Sequence, residues 1–293
     1  MEEISLKALL EAGCHFGHKA DRWHPKAARF IYQEREGIHV IDLVKTKAGL
    51  QAAAEFVKAQ ASDGKTVLFV GTKRQAAPII REEAARVGAP FIGQRWIGGF
   101  LTNWSEIHKN LEKIRRLTEE EKTNAWKKFP KHERVKLSRY LKKLNFLYGG
   151  VVQLTQPPDA FFVVDIKKER VAVFEARKMN VPVVGVVDTN ADPDWVDYVI
   201  PSNDDAVGAV QFIIHYIAEA YKEGLELRQK TIEKENKIKE SKIEEEKKAT
   251  DAVKTKTVEP VSIKKEAIAA AEPKKPTKKA TAKPGAKTAT QTA

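Results

Sequence analysis

Three unbroken apolar runs limit what this 293-residue chain can fold into. Residues 67–70 (VLFV), 160–164 (AFFVV) and 182–187 (PVVGVV) have no alternating polar positions, the pattern of strands buried on both faces. Helical patterns follow them: one runs to about Val87 after the Gly71-Thr72-Lys73-Arg74 turn, and another spans residues 168–179. A last short strand at 198–201 precedes a helix beginning near Ala206, capped from Ser202-Asn203-Asp204-Asp205. Upstream, residues 5–12 read as a short helix ended by Gly13, and residues 29–32 and 37–41 as short strands. Asp42 then caps a helix through Ala61, and residues 89–92 form a further short strand. Strands alternating with helices predict one parallel sheet covered by helices.

Residues 103–148 interrupt this rhythm. Asn103 with Glu106 three residues on reads as a capping box, and Trp104, Ile107, Leu111, Ile114 and Leu117 share one helical face. After a break at 124–130, Leu137, Leu141, Leu144 and Tyr148 form a second apolar series, ended by Gly149-Gly150. Two such helices predict an antiparallel hairpin closed along its apolar seams.

Charge separates the hairpin from the body. The chain carries +12, of which residues 103–148 supply 13 Lys and Arg against 6 acids, and residues 250–293 supply 10 Lys against 4 acids. The remainder is near neutral, so a polyanion is the expected partner of the hairpin. The plain alternative is that a helical hairpin needs charged outer faces in any case. Residues 225–248 are highly charged but balanced, which predicts a solvent-exposed helical extension over 229–249. The Lys, Ala, Thr and Pro composition of 250–293 predicts a disordered tail.

One cysteine, Cys14, excludes an intrachain disulfide framework and fits a reducing compartment. No apolar run approaches a membrane span, and the acidic start predicts neither a signal nor a transit peptide.

The turn at Gly71–Arg74 resembles a phosphate-binding strand-to-helix junction, though P-loop spacing and a G-x-G-x-x-G fingerprint are both missing. Lys73 and Arg74 could hold a nucleic-acid phosphate there; a plain turn with exposed charges is the alternative. Asp188, Asp192, Asp204 and Asp205 follow strands whose ends converge at one sheet edge, where His15, His18 and nearby His24 could meet them. Imidazole with carboxylate can bind a divalent metal, with His15, His18, Asp188, Asp204 and Asp205 as its candidates. Aspartates in such turns more often cap helices or brace loops, so the expectation is no cofactor, with a structural divalent ion as the minor alternative. Cys14 beside His15 lacks an identifiable orienting group for a nucleophile. The RNA-binding candidates are Lys73, Arg74, Arg95, Trp96, Asn103, Lys109, Arg115, Arg116, Lys127, Lys128, Arg139, Lys142 and Lys143, cations interleaved with aromatics.

Six collinear segments resemble one family. They are residues 13–18, 69–74, 95–103, 158–161, 187–190 with Asp192-Pro193, and 199–206. All look like the second protein of the small ribosomal subunit over roughly residues 1–228, and the basic hairpin is similar to its bacterial form. The resemblance implies an α/β fold, a parallel sheet flanked by helices in a flavodoxin- or Rossmann-like sandwich, with an inserted antiparallel coiled-coil α-hairpin. It implies no catalysis and a cytoplasmic, ribosome-associated structural role. The implied partners are small-subunit rRNA, other small-subunit ribosomal proteins and, where the organism has one, the large mRNA-binding ribosomal protein, with no membrane. An enzyme binding sugar or nucleotide phosphates and a purely protein-binding scaffold are the competing readings.

Overall fold

The computed structural model describes residues 4–254 of the chain. The chain divides into two units, Met1–Ile238 and Lys239–Ala293. Most of the segment expected to be a disordered tail, residues 255–293, lies outside the described residues.

The apolar runs form strands as their composition requires. β4 (Val67–Val70), β6 (Ala160–Val164), β7 (Val183–Val187) and β8 (Tyr198–Pro201) join the two-residue β5 (Phe91–Ile92) in one parallel sheet, ordered β5-β4-β6-β7-β8. Every residue of β4, β6 and β7 is buried. Successive side chains point to opposite faces. Val67, Phe69, Ala160, Phe162, Val164, Val184 and Val186 therefore enter one core cluster, shared with α1 (Leu6–Glu11), α2 (Leu43–Ser62), α3 (Ala76–Val87) and α7 (Val207–Lys254). Leu68, Val70, Phe161, Val163, Val183 and Val187 enter the other, shared with α6 (Arg170–Lys178) and the pair α4 (Trp104–Lys122) and α5 (Lys131–Tyr148).

The hairpin leaves the sheet after β5 and returns before β6. Its buried Ile107, Leu111, Ile114, Leu117, Leu141, Leu144 and Tyr148 belong to the same cluster as the sheet residues beneath α6. The hairpin is therefore rooted in the core and is not carried on a linker. Lys113 of α4 donates to the Tyr140 hydroxyl of α5 at 3.1 Å and lies over its ring.

Local signals hold at several ends. Ser5 Oγ accepts from the Lys7 amide, Asp42 accepts from Val44, and Asn203 accepts from the Asp205 and Ala206 amides ahead of α7. Others differ. Asn103 sits at the start of α4 but its side chain makes no cap bond, and Glu106 pairs instead with Lys109 at 2.6 Å, so the expected capping box is absent. Gly149 is right-handed helical, not left-handed; Gly150 is the residue that needs to be glycine, because a Cβ there would overlap the Phe91 carbonyl.

The expected strand at 29–32 is displaced. Residues Pro25–Phe30 form a 3-10 helix, and β2 (Ile31–Arg35) pairs with β3 (Ile38–Ile41) through Glu36 and Gly37, both at positive φ. β1 (Phe16–Lys19), which the sequence pattern did not announce, pairs with β3 to complete a three-stranded antiparallel sheet.

At the centre of the parallel sheet, a Cβ on Gly185 would lie 2.8 Å from both Ile166 and Val196. Gly185→Ala is expected to destabilise the protein by about 1–3 kcal/mol through overpacking. A lowered urea midpoint with an unchanged m-value would show it; an unchanged midpoint would mean that the two side chains yield freely.

Candidate nucleic-acid interface

The segment Arg95 to Asn103 leads into the hairpin, and its shape is set by one side chain. Glu175 of α6 is 5 % exposed and accepts hydrogen bonds from the Trp96 indole at 3.1 Å, the Gly99 amide at 2.8 Å and the Leu101 amide at 3.0 Å. The Thr102 amide and hydroxyl add two longer contacts at 3.4 Å. Gly99, at φ +86°, allows the chain to turn its amides inward. On the far side of the hairpin root, Arg115 donates to the Val152 and Leu154 carbonyls at 2.6–2.8 Å and ties α4 to the returning chain.

These contacts divide the candidates. Trp96 is buried and Arg115 half-buried, both committed to bracing the hairpin. Asn103 is exposed, with its carbonyl oxygen 3.4 Å from the Ser105 hydroxyl. Lys109 pairs with Glu106, Arg116 lies 3.7 Å from Glu120, and Lys128 lies over the Phe129 ring. Arg74, Arg95, Lys127, Arg139, Lys142 and Lys143 are exposed and have no ionic partner among the described residues. Of these six, all but Arg74 lie on the hairpin or in the segment leading into it.

Lys73 is elsewhere and differently employed. Its ammonium lies 3.3 Å from Asp165, 2.7 Å from Asp204 and 2.6 Å from Asp205, at the carboxyl ends of β4, β6 and β8. Burial works to lower its pKa, but Asp204, Asp205 and Asp165 prevail and raise it. The backbone of this turn is engaged internally as well. The Thr72 amide donates to the Glu169 carboxylate at 2.9 Å and its hydroxyl donates to the same oxygen, so the chain's own anion fills that position. α3 begins only at Ala76, and Ile80 packs against Gly71.

His18 joins the same cluster. Its Nδ1 lies 3.1 Å from Asp188 and its Nε2 3.5 Å from Asp205. The hydrogen bond to Asp188 raises its pKa against the opposing effect of burial. Burial, with Asp188 and Asp165 nearby, pushes Asp204 up to about 7 despite Lys73. His18, Asp188 and Asp204 each offer one atom within 4.8 Å of the others, a spacing a divalent cation could use. His15 is not in that group; its ring lies 4.0 Å from that of Phe16, tilted by 39°. Of this group's carboxylates, Asp204 is paired with Lys73. Cys14 is fully buried and burial raises its thiol pKa, which removes it as a nucleophile.

The molecule is thus an α/β body whose strand-end carboxylates are paired with its own Lys73, carrying a core-rooted basic hairpin. The family model for ribosomal protein S2 matches residues 9–224. The chain is also 50% identical to the small ribosomal subunit protein uS2 of Coprothermobacter proteolyticus over 235 residues, covering 80% of this chain and 88% of that protein. This chain belongs to the ribosomal protein S2 family, structural proteins of the small ribosomal subunit, and is of the bacterial type. Among the described residues, no helix is long and apolar enough to cross a membrane.

The residues that sequence reasoning missed are acidic. Glu175, Glu169 and Asp165 organise the site from positions 73 to 97 residues away from the groups they hold, a separation with no periodic signal.

Two expectations follow. Glu175→Gln places an amide group against several amide donors and is expected to cost about 3 kcal/mol. It should also speed hydrogen exchange at Gly99 and Leu101; unchanged exchange there would show that the carboxylate does not hold the segment. Stability should also fall as pH rises, because Asp204 and His18 both hold protons more tightly when folded. The Asp204 contribution is lost between the ordinary carboxylate value and about 7, and the His18 contribution from about 6.5 upward. The imidazolium contribution is complete below the unfolded value and lost as pH passes the raised folded value. Urea midpoints across this range should decline less steeply in His18→Gln; an equal decline would remove His18 as a source.

Proposed function

We propose that this protein binds small-subunit rRNA through the exposed cations of the hairpin and its lead-in segment. The observation that carries this reading is the placement of Arg95, Lys127, Arg139, Lys142 and Lys143 on an element rooted in the core, with no ionic partner among the described residues. Some cations of the body are committed, Lys26 to Asp192 and Asp194, Lys58 to Glu223, Arg86 to Glu83 and Glu219, while others such as Arg74 and Arg81 are exposed with no ionic partner among the described residues. Phosphate contacts from such groups position the protein without reading sequence.

The body docks neighbouring small-subunit proteins, including the large mRNA-binding ribosomal protein where one exists, and the protein works on cytoplasmic ribosomes. Phe16 and Tyr32, large and exposed on the three-stranded sheet, support a docking surface there. The protein needs no cofactor in this reading; Lys73 balances the aspartate cluster.

Arg115 is a poor probe of RNA contact, since its loss would loosen the hairpin root. Replacing Arg95, Lys127, Arg139 and Lys143 together with alanine should leave the thermal midpoint near that of the parent. The slope of log K against log salt for rRNA should become shallower by about 3. Filter binding at several salt concentrations measures this; an unchanged slope would refute the hairpin as the phosphate-binding element.

A further inference from the structure

A second feature lies at the hairpin root. A cavity of about 410 Å³ opens between α3, the end of β5 and α5, lined by Arg81, Gln94, Lys142, Asn145 and Phe146 over a floor that includes Gly93 and Gly150. Its size is that of a small-ligand pocket, roughly 300–1,000 Å³. Phe146 is 61 % exposed and lies off the buried stripe of α5 formed by Leu141, Leu144 and Tyr148. An outward aromatic ring on a helix this basic is not explained by packing.

The chemistry around the ring is consistent. Arg81 and Lys142 are exposed with no ionic partner among the described residues, and no acidic residue lines the cavity. Gln94 and Asn145 bring amide groups that can both donate and accept. A stacking face, two amide edges and two cations are the groups that hold an unpaired nucleotide: bases stack on aromatic rings, amides meet base edges, and cations take phosphates. A protein segment would use the ring but would need acidic side chains opposite both cations, whereas every nucleotide brings its own phosphate.

We propose that this groove holds one unpaired nucleotide of the small-subunit rRNA, its base stacked on Phe146, its edge met by Gln94 and Asn145, and its flanking phosphates taken by Arg81 and Lys142. This rests on the RNA-binding reading of the hairpin and gives that interface a non-ionic contact.

The test uses the full chain and protein-free small-subunit rRNA. Wild type irradiated with the RNA should give a nucleotide cross-linked to the peptide containing Phe146. Phe146→Ala should lose that cross-link and bind about five- to a hundredfold more weakly at fixed salt, the range for one stacked base. Its salt slope should match wild type, and Phe146→Trp should restore binding. If Phe146→Ala binds as tightly as wild type, the groove assignment falls while the hairpin reading stands. If that variant binds rRNA normally but drops a neighbouring protein from reconstituted subunits, the groove is a protein socket and the assignment is overturned. If wild type shows no salt-dependent binding to the RNA, both readings fail together.

Discussion

The Glu175 carboxylate is the contact on which the arrangement of this molecule depends. It stands on α6, over the parallel sheet, and receives donors from Trp96, Gly99, Leu101 and Thr102. A buried charge is tolerated only when hydrogen-bonded, and here the backbone of the lead-in segment does most of that bonding. The segment is thereby fixed relative to the sheet, and so is the direction in which α4 leaves it. Arg115 performs the complementary task at the exit, satisfying two carbonyls of the returning chain. One anion and one cation, neither facing an opposite charge, brace the two ends of the hairpin.

The second organising device is substitution of internal ions for external ones. The edge where β4, β6, β7 and β8 end is where a doubly wound sheet usually receives a ligand. In this chain Glu169 sits on the Thr72 amide and Lys73 sits among Asp165, Asp204 and Asp205. These contacts occupy the donors and acceptors that a phosphate or sugar would use. The same groups that would build a binding crevice instead lock the strand ends, consistent with the structural character of the S2 family.

Much of the fold could be read from the chain because burial on both faces leaves a local signature. The runs at 67–70, 160–164 and 183–187 become strands, and the apolar spacing of Ile107, Leu111, Ile114 and Leu117 becomes the buried face of α4. β1 escaped because its four residues are exposed or half-buried and lack alternation. The site was legible as a charge excess but not in its division of labour. Lys73 and Arg115 look like Lys127 and Arg139 in sequence; only contacts across 131 and 37 residues show that the first pair is consumed internally.

The most direct test of a core-rooted RNA-binding arm is lysine reactivity. An amine-modifying reagent applied to the free protein and to intact small subunits, with modified residues located by mass spectrometry, compares the same side chains in both settings. The expected result is that Lys127, Lys128, Lys142 and Lys143 react in the free protein and are protected in the subunit. Full reactivity of all four in the subunit, with protection confined to lysines of the α/β body, would contradict it.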